Sequence, residues 1–469
     1  MTRSFERTEG ERRSDERIVA AITALMPPGC APLRAEFAMT VAAEAVELLA
    51  VDEQRLPVRI QPTETLLALL RSERRRSAGC DRGPWWRLVL VFGTTGTIEV
   101  TPDYGDEPFP DDQLFDPQDY LADLECYPRA TVPIWLAAYI GHGDRQSRTP
   151  QAAAEQARAD RQSGVIAVPS ESDFPAFPVL WSRWAVLAAV HSARRSPTGP
   201  LMLPAMGWFE GAQHSGSTLY SLPGGRAVLS GGVWNAPELA AAYRGGLPMP
   251  ALYSGAPDWV ADPVLNPRAA NGLLSFCYWW EAGHWYRGES APADRLDEAI
   301  PEVWTFDTTV SVIRELLASR RVVTYETVSA LLAAAEVGLV TRDTVVAVLG
   351  SDSGFDIDSA MYQLTMAGVT LSLPEPITRD RAVARVRHFV LAGGVSLGDR
   401  SLDNLLAERI SVGWRIFLPA GHTTDDSVGD VFYVADDDVL EHSSYMVAPS
   451  DYLAEFEHRF DQRQGWVQV

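Results

Sequence analysis

The sequence predicts an α+β protein of several small modules, each an antiparallel sheet with flanking helices. Three observations carry that prediction. At 469 residues the chain exceeds what one core of the usual ~100–200 residues holds. Apolar residues make up 46% of it, with 14 Trp and 14 Tyr, far from the low-hydropathy signature of disorder, so most of the chain is expected to fold. Its apolar pattern also switches repeatedly between alternation and helical spacing, with Gly- and Pro-containing turns between.

From Asp15 to about Leu49 the pattern suits helix, PVRIQP reads as a strand, and TETLLALLRSERRRSAG reads as a helix opened by Thr63 or Thr65 and closed by Gly79. The run WWRLVLVFGTTGTIEVTPDY alternates and is rich in β-branched and aromatic residues, with Gly93 to Gly96 placed for a hairpin turn. Behind it comes DYGDEPFPDDQLFDPQDY, Asp103 to Tyr120, with seven acidic residues, three prolines and no basic residue. PQDYLADLECYPRATVPIWLAAYI then returns to helical spacing, interrupted at Pro128 and Pro133. Residues 1–148 are thus expected to form a first α+β module.

A helix, an aromatic-rich hairpin ending in Asp103-Tyr104, an acidic Pro-containing loop and the segment DLECYPRATVPIWL (Asp123 to Leu136) together resemble the YezG-like immunity proteins of bacterial polymorphic-toxin systems. The resemblance covers roughly Ile18 to Gly143. It implies a small domain that binds a toxin and inhibits it without catalysis.

Residues 149–173 are small and polar and are expected as a linker. A Trp-rich α+β domain, 174–320, follows, with paired glycines at turns, a hairpin joining LYSLPGG to RAVLSGGVW and a helix over Thr308 to Ser319. Segments such as YETVSALLAAAE and TRDTVVAVLG predict a helical segment over 321–375. The last module, 376–469, reads as helix (RDRAVARVRHFVLAGG), strand (ERISVGWRIFLPAG) and strand (VFYVADDDVLEHSS), closing on the helix SDYLAEFEHRF. With Gly413-Trp414 opening one strand and the turn Val434 to Glu441 later, it resembles the Imm35-like, or YrhB-like, immunity fold over about Arg379 to Arg463.

The formal charge is −22, and every one of the 40 basic residues is Arg. Such a balance argues against nucleic acid or an anionic membrane as partner and favours a basic protein surface. The N-terminal MTRSFERTEGERRSDER lacks the apolar core of a signal peptide, and no segment reaches the ~18 uninterrupted apolar residues of a membrane span. A cytoplasmic protein is expected. The four cysteines are scattered without a CxxC pair and read as reduced core thiols.

No GxSxG, P-loop or HExxH occurs in the chain. The acidic stretch lacks the Gly at the sixth position and Glu at the twelfth that an EF-hand loop needs, and SDSGFDIDSA fails the same template, leaving Asp356 or Asp358 as a helix N-cap. No metal or cofactor is expected. Trp85-Trp86, Trp279-Trp280 and Trp285 read as core rather than as a ligand platform, and Arg129 as a structural anchor for the Pro-kinked segment. An enzyme would have to hide its site in the middle module, around Glu281, His284, Glu289 and Asp307; a scaffold that only joins modules is the third class.

The acidic stretch therefore reads as a docking surface for a basic protein, and the resemblance implies that this partner is a toxin, of nuclease or NAD-hydrolysing class. Asp103, Asp106, Glu107, Asp111, Asp112, Asp116 and Asp119 supply charge and Phe109 and Phe115 supply anchors, with the turn Asp436, Asp437 and Asp438 as a second candidate.

Overall fold

The first helix, α1 (Glu9–Ala24), precedes three strands, β1 (Ala31–Met39), β2 (Glu44–Val51) and β3 (Pro57–Ile60), then α2 (Glu64–Ser77) and the hairpin β4 (Arg87–Phe92) and β5 (Ile98–Asp103). The computed structural model describes residues 9–79, 82–93, 97–211, 213–351, 354–371, 376–392, 395, 401–418, 430–443 and 449–463. The five strands form one antiparallel sheet in the order β3-β2-β1-β4-β5. The helix expected over Asp15 to Leu49 is thus corrected: it stops at Ala24, and residues 31–51 are two strands. Ala, Glu and Leu favour helix locally, but Ala35, Phe37 and Met39 alternate into the core, and Thr40 closes a tight turn by accepting from the backbone N–H of Ala43 at 2.8 Å. Thr63 does cap α2, its hydroxyl accepting from Leu66 N–H.

Alternation gives this sheet two faces. Phe37, Leu88 and Leu90 meet Ile18, Ile22, Leu66 and Leu70 of α1 and α2. Glu36 and Arg87 lie on the opposite face, which the segment after β5 covers with α3 (Pro117–Cys126) and α4 (Ile134–Gly141).

Next come α5 (Pro150–Ser163), β6 (Val168–Pro169), α6 (Phe177–Ala193), β7 (Leu201–Leu203), β8 (Met206–Glu210), β9 (Gly216–Leu222), β10 (Arg226–Gly232), α7 (Pro237–Arg244), β11 (Phe276–Glu281) and β12 (His284–Arg287). The seven strands make an antiparallel sheet ordered β6-β12-β11-β10-β9-β8-β7. Helix α6 is apolar on all sides because it is enclosed: Leu180, Trp184, Ala185, Val186 and Ala188 are buried between the sheet and the helices α8 (Phe306–Leu317), α9 (Tyr325–Glu336), α10 (Arg342–Leu349) and α11 (Ile357–Met366). Its one charge, Arg183, is neutralised by Glu336 at 2.9 Å.

Two expected boundaries are corrected here. Residues 149–173 are no open linker: Thr149 caps α5, Ala153 and Ala157 are buried, Asp160 accepts from Gly255 N–H at 2.8 Å, and Val168 pairs with Arg287. Nor do 321–375 stand alone, since Val328, Leu331, Val345 and Leu364 belong to the same core as α6. The chain divides instead into one unit ending at Thr370 and a second beginning at Leu371.

In the second unit α12 (Arg379–Leu391) precedes the meander β13 (Leu406–Ile410), β14 (Gly413–Phe417), β15 (Val431–Ala435) and β16 (Leu440–Ser443), and α13 (Pro449–Arg463) ends it. Ile416, Phe432 and Val434 face α12, while Tyr433 and Ala435 face Phe456 and Phe460 of α13. The whole protein is α+β. Among the described residues no helix is long and apolar enough to cross a membrane. Cys277 is buried, but Cys30 is half-buried and Cys126 exposed, so the core-thiol reading is corrected for those two; Cys80 lies outside the described residues.

Candidate functional site

The acidic stretch is fixed from beneath. Trp86, Phe109, Tyr120 and Trp135 form an aromatic cluster on the second face of the first sheet, with Phe109 edge-on to Trp135 at 5.1 Å and stacked near Tyr120 at 6.1 Å between centroids. Such rings favour these offset and edge-on geometries because of their quadrupoles. Gly105, at φ 80°, passes so close that an added Cβ would meet Phe109, Pro133 and Trp86, and its carbonyl accepts from the Trp135 indole at 2.8 Å. Burial pushes the Tyr120 hydroxyl up to about 12, and that hydroxyl accepts from Phe115 N–H.

Two buried polar networks tie this layer to the sheet. In the first, Arg87 donates to Gln113 at 2.6 Å, to Asp103 at 2.8 Å and to Glu36 at 3.2 Å, while Gln113 donates to Glu36 at 2.6 Å. Burial alone pushes the Glu36 carboxyl up, but Gln113 and the charges of Arg34 and Arg87 outweigh it and hold Glu36 below the usual range. In the second, Asp123 accepts from Arg74 at 2.8 Å, from the Trp86 indole at 3.0 Å and from Val41 N–H at 3.0 Å. Arg129 lies over the Trp86 ring at 3.4 Å, donates to the carbonyls of Arg82 and Pro84, and sits 3.6 Å from Asp123. Burial draws the Arg129 guanidinium down to about 10, against the pull of Asp123. The structural role read for Arg129 matches these contacts. Sequence reasoning missed Asp123 as a site-shaping residue; its one signal is its place three residues after Tyr120, on the inward side of α3.

The predicted docking residues fall into groups. Asp103 is spent on Arg87 and on Gly105 N–H, Asp106 pairs with Arg82 at 2.6 Å, and Glu107 pairs with His214 of the middle sheet. Phe109 is 4% exposed, so its expected use as an anchor for a partner is corrected: the ring holds the chain's own loop. Phe115 is half-buried in the same cluster. Asp111, Asp112 and Asp116 are exposed and Asp119 is half-buried, and their side chains make no hydrogen bond or ion pair among the described residues. Asp111 and Asp112 share a single 3-10 turn with buried Gln113, and Asp116 and Asp119 open α3.

The second candidate is engaged internally. Asp436 takes both arms of Arg409 at 2.7 Å each, Asp437 pairs with Arg463 at 2.8 Å, and Asp438 pairs with Arg381 at 3.1 Å. These bonds join the β15–β16 turn to β13, α13 and α12, which corrects its reading as an open docking turn.

The middle-module candidates do not converge. Glu281 and His284 face each other across the β11–β12 turn, and His284 pairs with Glu171 at 2.7 Å. Glu289 accepts from Ala251 N–H at 2.8 Å, and Asp307 accepts from the Tyr325 hydroxyl. Among the described residues no three His, Cys, Asp or Glu side chains cluster as metal ligands. Asp356 caps α11, accepting from Ser359 N–H at 3.0 Å. Trp85, Trp86, Trp279 and Trp285 are buried. No family model matches the chain, and no curated protein matches it.

Proposed function

We propose that this chain is an immunity-type inhibitor that docks a basic toxin cleft, of nuclease or NAD-hydrolysing class, on the acidic face formed by Asp111, Asp112, Asp116 and Asp119. The observation that carries the reading is the coupling of unpaired, outward carboxylates to a buried base: Gln113 and Tyr120, immediate chain neighbours of these acids, are 7% and 1% exposed. Carboxylates held on a packed layer lose little freedom on binding, and their charge steers a cationic partner. The net charge of −22 extends the same field. Resemblance of the segment from Ile18 to Gly143 to YezG-like immunity proteins supports the class of partner.

The test uses the product of a neighbouring toxin gene. Its association with the full chain, followed by stopped flow at low and high salt, is expected to be fast and salt-sensitive, and its activity to be blocked. Changing Asp111, Asp112, Asp116 and Asp119 together to Asn slows association and flattens the salt dependence. An unchanged rate at both salt concentrations sinks the assignment of this face.

A further inference from the structure

Elsewhere in the first unit the charge pattern inverts. A cleft of about 240 Å3 opens where the loops around Arg82 and Thr131 meet α7, and its lining includes Arg82, Arg129 and Arg244 against one carboxylate, Asp106. Three guanidinium groups around one small opening run against the −22 balance of the chain.

Each arginine is held differently. Arg129 is fixed, its side chain 1% exposed, two of its donors turned to the Arg82 and Pro84 carbonyls and its charge shared with Asp123 at 3.6 Å, so it stands as a stationary group at the cleft wall. Arg82 lies 4.3 Å over the Tyr104 ring and gives one arm to Asp106. Arg244 makes no side-chain hydrogen bond or ion pair among the described residues, and partial burial lowers its pKa with no carboxylate to offset the loss. It is the last residue of α7, yet it lines the same cleft as Asn235, which precedes that helix, because helical side chains lean toward the N-terminus. Beside Arg244 the Asn235 amide and the Thr131 hydroxyl add donors, while the one charged acceptor in the lining, Asp106, already sits on Arg82.

The chemistry of the donors selects the ligand. A planar carboxylate is met by a single guanidinium, and Asp106 occupies only one arm of Arg82. Donors arriving from Arg82, Arg244, Asn235 and Thr131 suit a tetrahedral dianion with three terminal oxygens. The volume lies below the ~300–1,000 Å3 of pockets that enclose a whole drug-sized ligand. The cleft therefore takes the charged group and leaves the rest of the molecule outside.

We propose that this cleft binds the phosphate group of a phosphate monoester, gripped by Arg244 and Arg82 in front of the fixed charge of Arg129, with Asp106 released from Arg82 on binding. The lining shares no residue with the proposed toxin-docking face, and the proposal does not rest on that reading.

Inorganic phosphate is the probe, titrated calorimetrically into the full-length protein against chloride at matched ionic strength and against acetate. Saturable phosphate binding, displaced by glycerol phosphate, is expected. Exposed Arg244→Gln weakens it about tenfold, the loss of one charge-assisted contact, and Asp106→Asn strengthens it by removing the internal competitor. The opposite shifts separate a built site from general ionic-strength effects. The proposal is overturned by the absence of saturable phosphate binding, by an Arg244→Gln variant that titrates like the parent while its circular dichroism is unchanged, or by acetate binding as tightly as phosphate.

Discussion

Arg74 and Asp123 meet at 2.8 Å with side chains 5% and 0% exposed, so both charges of the pair are held out of water. It joins α2 to α3 across the first sheet, and the Trp86 indole and Val41 N–H complete the carboxylate's hydrogen bonds. A buried pair of this kind stabilises little relative to an apolar replacement, but breaking one partner leaves the other charge stranded.

Asp123→Ala is accordingly expected to destabilise the first unit by roughly 3–5 kcal/mol, because Arg74 keeps its charge in a dry site. Urea unfolding followed by tryptophan fluorescence reads the change. A loss under about 1 kcal/mol would mean that water enters and solvates Arg74.

Phe109 supplies a sharper distinction between support and docking. Phe109→Ala removes a ring packed on Trp86, Tyr120 and Trp135, and a cost of roughly 3–5 kcal/mol in unfolding free energy is expected. Near-UV circular dichroism should weaken as the cluster loosens. Unchanged stability with faster partner dissociation would restore the ring to the interface.

Acid sensitivity follows from Glu36. Its folded-state pKa lies below the ordinary 4.5, so the stability it contributes is present above that value and is lost as pH falls through the folded-state value. Glu36→Gln should be less stable than the parent at pH 7, and the two should converge as the pH falls from 4.5 through the lowered folded-state value. Parallel stability curves across that window would remove Glu36 as the cause.

Trypsin tests the packing of residues 149–173. Arg158 and Arg161 lie on α5, whose other face buries Ala153, Ala157 and Asp160, so native-state cleavage there should be slow. Asp160→Ala, which frees Gly255 N–H, should speed it. Rapid cutting at both arginines in the parent would indicate an open connection after all.

Elements whose local signals agree with their packing are readable from the sequence. The strands β4 and β5, the capped helix α2 and the turn between β15 and β16 carry the expected period and residues, whereas ERISVGWRIF, read as one strand, turns back at Ser411 into β13 and β14. The strands β1 and β2 are not readable, because EFAM and EAVELLAV carry helix-favouring residues and become strands only through pairing, β1 with β4 and β2 with β1 and β3. Helix α5 had its Thr149 cap, Pro150 at the first turn and Gly164 at the end, yet its small, polar residues resemble a linker when no partner surface is known. The acids of the candidate face were visible as a composition. Which of them are consumed depends on Arg82, Arg87 and His214, brought in by the fold.

Helix α6 sets the order of events during synthesis. Its Trp181 indole donates to the carbonyl of Ala367, 186 residues onward, and its flanks pack on α9 and α11. A nascent chain that has passed α6 but not α11 carries a seventeen-residue apolar helix with half of its cover still unmade. Contacts of such separation form late and leave sticky intermediates. The core around α6 therefore closes only after α11 has emerged, which makes this helix the part of the first unit that a chaperone would need to shield during synthesis.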